Sequence, residues 1–143
     1  MQVPSERVDA DPSLDRYARM VQRYLDVPTA LVSIVETERQ VFPGAAGLPE
    51  PYDETRQTPL SHSFCQYVVS DEAPLIVTDA RTEERLDGNG AITDLGVIAY
   101  AGWPLIDETG ATIGSLCAID DQPRQWTRED LDALADLADA CSA

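Results

Sequence analysis

The sequence predicts an α+β domain organised around a mostly antiparallel sheet, and three observations lead there. Apolar residues recur at helical spacing near both ends of the chain. Between those ends lie apolar segments of strand length. Short polar turns join consecutive segments into β-hairpins, which favours antiparallel pairing with helices laid on the sheet. Residues 11–143 read as one domain, and the polar stretch 1–10 as disordered or flexible.

Asp11-Pro12 opens the first helix, with an N-cap residue followed by proline at the first helical position. Leu14, Tyr17, Ala18, Val21 and Leu25 then form an apolar stripe, ended by Asp26-Val27-Pro28. Thr29 to Glu36 is β-branched and apolar and reads as a strand. Thr37-Glu38 turns the chain, and Arg39 to Phe42 returns as the second arm of a hairpin. Pro43 to Pro59 carries Gly44, Gly47, Pro49 and Pro51 without a period, and reads as a long loop.

Leu60 to Ser70 has helical spacing, with Leu60, Phe64 and Val68 on one face. Pro74 to Asp79 is a short strand, Ala80 to Asn89 is irregular, and Ala91 to Gly96 forms one helical turn closed by glycine. Tyr100 to Leu105 and Gly114 to Asp120 are strands joined through Asp107-Glu108-Thr109-Gly110, where the glycine can sit at positive φ. Thr127 followed by Asp130 resembles a capping box at the start of the last helix. Leu131, Leu134, Ala135, Ala138 and Cys141 make its stripe. That stripe is still running at the end, so the helix is expected to continue into a further domain.

Composition excludes several functions. Acidic residues number 26 against 10 basic ones, for a net charge of −16, and every basic residue is arginine. Phosphate backbones and anionic lipid surfaces require the opposite sign, so neither nucleic acid nor a membrane surface is an expected partner. No apolar run approaches the ~18 residues of a membrane span. The start of the chain lacks the basic-then-apolar order of a secretory signal, and the expected location is cytoplasmic. With 43% hydrophobic residues, an ordinary core needs neither metal nor disulfide.

Cys65, Cys117 and Cys141 are far apart and odd in number, and His62 is the single histidine. This supports neither a zinc site nor a disulfide framework. His62 and Cys65 stand three apart, the minimal spacing for an activated thiolate on one helix face. Ser61-His62-Ser63 reads equally as a helix cap. The loop acids Asp79, Asp87, Asp94 and Asp107, with Glu83 and Glu84, lack the spacing of a calcium loop. Tyr100 and Trp103 have the amphipathic rings that suit a ligand pocket.

Ser63-Phe64-Cys65, Val77-Thr78-Asp79-Ala80-Arg81, Asp94-Leu95-Gly96-Val97, Tyr100 to Leu105, Gly114 to Asp120 and Pro123-Arg124, in this order, resemble the GAF domain. That module senses small molecules in bacterial signalling proteins. More narrowly, the chain resembles GAF domains that precede PP2C-type phosphatase, histidine kinase or diguanylate cyclase domains in bacterial, especially actinobacterial, regulators. The resemblance implies a PAS-like antiparallel sheet of five or six strands. N- and C-terminal helices would cover one face, and a ligand cavity would lie on the other.

Carried over by position, Ser63, Phe64, Cys65, Asp79, Asn89, Tyr100, Trp103 and Cys117 would border that cavity. No catalytic or metal-ligating residue is implied. Cyclic-nucleotide-binding members carry an Asn-Lys pair, whereas Asn89 is followed here by Gly90. Their Phe-x-x-x-Asp-Glu element reads Trp126 to Leu131 here. Bilin-binding members place histidine after the attachment cysteine, whereas Gln66 follows Cys65. Bilin, haem and metal are therefore not expected, and the ligand stays unknown.

The expected function is non-catalytic. A small molecule would bind, and an attached output domain would respond, with a homodimer formed through the terminal helices. One alternative is a thiol-dependent reductase similar to free methionine-R-sulfoxide reductase, although the Arg81–Tyr100 connection lacks the cysteines which that family keeps there. Another is a ligand-free dimerisation module held through Leu134 and Leu137.

Overall fold

The structure, a computed structural model, describes residues 9–142. The expected flexible stretch 1–10 lies, except for Asp9 and Ala10, outside the described residues. Helix α1 (Pro12–Leu25) starts where its cap signals place it. Asp11 accepts a hydrogen bond from the Ser13 backbone N–H, and Pro12 occupies the first turn. The helix closes at Asp26 in the left-handed region.

Strands β1 (Thr29–Val35) and β2 (Arg39–Ala46) form the first hairpin. After a short helix α2 (Tyr52–Thr55), strand β3 (Gln57–Pro59) pairs with β2. A single 3₁₀ turn at Leu60–His62 precedes α3 (Cys65–Asp71) and β4 (Leu75–Val77). Two 3₁₀ turns at 80–86 lead to α4 (Gly90–Asp94). Strands β5 (Ala99–Ile106) and β6 (Thr112–Asp120) form the second hairpin, and α5 (Arg128–Ser142) follows. At the hairpin turn Gly110 has φ of +88°, the conformation that reserves the position for glycine.

The six strands make one antiparallel sheet in the order β3-β2-β1-β6-β5-β4. Period-two alternation sends the side chains of each central strand to two different layers. Ala30, Val32, Ala101, Leu116 and Ala118 face α1 and α5, meeting Ala18, Val21, Leu25, Leu134 and Ala138. The alternate residues Leu31, Tyr100, Cys117 and Ile119 face α3, α4 and the connections, meeting Phe64, Val68, Leu86 and Val97. The α+β antiparallel sheet with both terminal helices on one face is thus the observed architecture.

Two stretches depart from expectation. Pro43 to Pro59 is not a featureless loop. Strand β2 runs on to Ala46, and after a loop over 47–51 the short α2 and β3 follow. The continuous helix expected over Leu60 to Ser70 is broken at Ser63, whose φ of −118° and ψ of 126° are extended. The Ser63 hydroxyl instead accepts from the Gln66 backbone N–H, satisfying a donor in the first turn of α3.

Arg124 joins the helical layer to the end of the sheet. Its guanidinium donates to the Leu25 and Asp26 carbonyls at the end of α1, and to Asp130 in the first turn of α5. Asp120 at the end of β6 lies 3.7 Å away, and the group stacks 4.8 Å from the Trp126 ring centroid. One cation therefore complements the negative end of one helix and a carboxylate that begins another.

Candidate functional site

Beneath the sheet, on the face away from α1 and α5, lies a cavity of about 20 Å³. Its floor comes from Leu31, Phe42, Tyr100, Cys117 and Ile119, and its cover from His62, Phe64, Cys65, Ala91, Leu95 and Val97, with Gln40 at one side. That volume holds about one or two waters. The metabolite-sized hollow expected of this face is therefore closed, and the reason is Tyr100. Its ring folds back along β5 over Gly102, where a Cβ would collide with the ring and its hydroxyl. Phe64 meets the same ring edge-on, with centroids 5.3 Å apart.

The polar end of Tyr100 is spent inside the core. Its hydroxyl lies 3.0 Å from Cys65 Sγ and 3.0 Å from Ser115 Oγ. The Ser115 hydroxyl donates to Cys65 Sγ, also at 3.0 Å. The three groups close a ring in which each can donate once and accept once. Buried Gln40 supports the neighbouring strands, accepting from Ser33 and donating to Thr58 and the His62 carbonyl. Among the described residues no buried side-chain nitrogen or oxygen lacks a partner.

This environment sets the thiol chemistry. Burial opposes ionisation of Cys65, but hydrogen bonds from Cys117, Ser115, Ser33 and Tyr100 outweigh it and lower the pKa from 9.0 to about 6. Burial, aided by the nearby Cys65, pushes the Cys117 thiol and the Tyr100 hydroxyl well up. Cys141 lies apart on α5, raised to about 11 by burial and by Asp11.

The cover is fastened by polar contacts. His62 Nε2 lies 2.6 Å from an Asp94 carboxylate oxygen, and Ser61 Oγ lies 2.9 Å from His62 Nδ1. The His62 hydrogen bond holds the Asp94 carboxyl below its usual range. Asn89 Nδ2 donates to the Ser63 carbonyl, while its Oδ1 accepts from Ala91 N at the start of α4. These bonds tie α4 to the 60–63 segment.

Of the residues expected at the cavity, Phe64, Cys65, Tyr100 and Cys117 line it. Ser63 and Asn89 position its cover. Two are placed elsewhere. Asp79 caps the following 3₁₀ turn and grips Arg81, whose hydrogen bond lowers its pKa. Trp103 lies on the opposite face of the sheet, packed against the α1–α5 layer. Its position differs from Tyr100 by an odd number, so alternation sends the two rings to different layers. His62 and Cys65 do not act as a pair, since each is bonded to other partners.

Sequence reasoning missed Leu31, Gln40, Phe42 and Ile119. The signal was strand register: Leu31 and Gly102 both oppose Cys117, and Tyr100 opposes Ile119, so these residues share one face. Among the described residues, no group of three or more His, Cys, Asp or Glu could hold a metal. No helix among them is long and apolar enough to cross a membrane.

Comparison with known proteins gives a consistent result. The chain is 34% identical over 116 residues to a cyclic di-GMP phosphodiesterase of Pseudomonas aeruginosa, a match covering 80% of this chain and 19% of that protein. The chain thus spans about a fifth of the curated relative's length. Among solved structures, the GAF domain of an Acinetobacter phosphoenolpyruvate-protein phosphotransferase superposes with a TM-score of 0.73 at 18% identity, covering 96% of this chain and 82% of that one. The free methionine-R-sulfoxide reductase of Neisseria meningitidis, solved with its substrate, has a TM-score of 0.70 at 18% identity, covering 90% and 73%. At such identities the structures establish the fold alone. The family model of the GAF domain matches residues 9–143, and with the sheet, its two helical layers and the covered cavity in place, the chain belongs to the GAF domain family.

Proposed function

We propose that this GAF domain is a non-catalytic sensory module. A small molecule enters between the sheet and α4, displaces packing around Tyr100 and Phe64, and alters the output of an attached signalling domain. The observation that carries this reading is that β5 and β6 serve both layers. Tyr100 and Cys117 floor the cavity, while their neighbours Ala101, Leu116 and Ala118 seat α1 and α5. A shift of these strands reaches the terminal helices directly, and Arg124 carries it from the end of β6 to both.

Magnitudes favour opening by a ligand. The polar bonds fastening α4 contribute on the order of 1 kcal/mol each. A ligand present at a hundred times its dissociation constant supplies about 2.7 kcal/mol, enough to offset two such bonds. The phosphodiesterase relative, of which this chain matches only part, supports an output domain that handles a second messenger. A cytoplasmic homodimer along the terminal helices belongs to the same reading. The outer face of α5 carries exposed Asp132, Asp136 and Asp139, so such a dimer would run along exposed Tyr24 of α1 instead. The 81–100 connection holds no cysteine to resolve an oxidised intermediate, which puts the reductase reading second.

The test is amide hydrogen exchange combined with thermal unfolding across a panel of metabolites. Asp94→Asn should speed exchange over 89–97 at least several-fold without lowering the melting temperature by more than a few degrees. A true ligand should raise the melting temperature and change protection in both α4 and α5. If α4 exchanges only through global unfolding and no metabolite alters either helix, the sensory reading fails.

A further inference from the structure

We propose that Cys65 is an oxidation site for a small peroxide, and that Cys117 is the thiol that closes the product into an intramolecular disulfide. Four observations carry the proposal. The cavity borders both cysteines, and its volume of about 20 Å³ suits a molecule the size of hydrogen peroxide while excluding bulky oxidants. Its lining includes the half-buried His62 and Leu95, which give the void a route toward solvent. Tyr100 and Ser115 each stand 3.0 Å from the Cys65 sulfur. Cys117 is the second thiol lining the same void, near enough to Cys65 to influence its ionisation.

The ring of hydrogen bonds explains how a buried sulfur can react. With the thiol protonated, each of the three groups donates once around the ring. When the thiol loses its proton, the Tyr100 and Ser115 hydroxyls can both turn to the sulfur with no heavy atom moving. The thiolate is thereby solvated by fixed donors, consistent with its lowered pKa. As an attacked peroxide sheds its distal oxygen, a hydroxyl that turns from the sulfur can donate to that oxygen as charge develops.

The chemistry balances. Cys65 sulfur attacks one peroxide oxygen, an S–O bond forms and the O–O bond breaks. The departing oxygen takes the Cys65 proton and leaves as water, so the sulfur is oxidised to sulfenic acid and the peroxide is reduced. Cys117 sulfur then attacks the sulfenic sulfur and the S–O bond breaks. The sulfenic oxygen, with the Cys117 proton, leaves as a second water, and the disulfide remains. Product formation would link the start of α3 to the middle of β6 and leave Tyr100 and Ser115 without the thiol they now hold. This chemistry does not depend on whether the cavity also admits a larger ligand.

The experiment exposes the folded chain to hydrogen peroxide, alkylates remaining thiols under denaturing conditions and maps the peptides by mass spectrometry. The expected product is a Cys65–Cys117 disulfide with Cys141 still alkylated. In Cys117→Ser, a dimedone adduct should collect on Cys65 at least tenfold above Cys141, the slow reference because its thiol is raised to about 11. The rate for Cys65 in folded wild-type protein should exceed that in urea, a comparison that needs no variant. Oxidation of Cys141 with Cys65 left free, or a folded-state rate at or below the unfolded one, overturns the proposal. Oxidation of Cys65 with Cys117 remaining alkylatable overturns the role given to Cys117.

Discussion

The Tyr100 hydroxyl makes two of the bonds that keep polar atoms satisfied beneath the sheet. Tyr100→Phe leaves Ser115 and Cys65 each one partner short in a water-poor site, and should cost about 1–3 kcal/mol in urea denaturation. A cost near zero would show that water takes the hydroxyl's place. At the surface, Asp107 accepts from the Thr109 hydroxyl and from the Thr109 and Ala111 backbone N–H groups, which lowers its pKa. A depressed carboxylate stabilises the fold fully above its ordinary value of 3.8 and loses that contribution as pH falls through the lower folded value. Asp107→Asn should therefore lower the melting temperature near neutrality and converge with the parent below about pH 4, which flattens the acid side of the profile. Residue chemistry was partly legible: side-chain type and the family resemblance singled out Tyr100 and Cys65, but three separate segments had to converge before their shared ring existed. Trp103 was misplaced for a simpler reason, since counting its position against Tyr100 already separates the two faces.

Secondary-structure elements obeyed their local signals where those signals were self-contained. The capping box at α5 is reciprocal: Asp130 N–H donates to the Thr127 hydroxyl, and Thr127 N–H donates to the Asp130 carboxylate. Thr127→Ala should destabilise the protein by about 1 kcal/mol, read as a shifted urea midpoint with an unchanged slope. The segment from Leu60 to Ser70 shows where local signals fail. Its apolar spacing fits a helix, yet β3 docks its start against β2, and the extended Ser63 redirects the chain. Pairing of β3 with β2 likewise converted a stretch rich in glycine and proline into structure. No property of residues 57–59 alone predicts a strand that exists only because an edge of β2 was free to receive it.

The sheet and its two layers decide what a mutation at the end of the chain does. Leu134 is fully buried within its own chain among Ala18, Val21 and Leu116, so the dimer contact expected from its stripe position is instead an internal one. Leu134→Asp should unfold the domain, at a cost of roughly 3 kcal/mol or more. Loss of the cooperative thermal transition is the expected readout; a folded monomer would contradict it. Hairpin turns, helix caps and amphipathic stripes reside within a few consecutive residues, and these alone were enough to specify an α+β sheet with helices at both ends. The closing of the cavity, the convergence of Cys65, Cys117, Tyr100 and Ser115, and the anchoring of both terminal helices by Arg124 were decided only on folding. Each depends on strand register and on contacts between residues dozens of positions apart, and no short window of the chain contains that information.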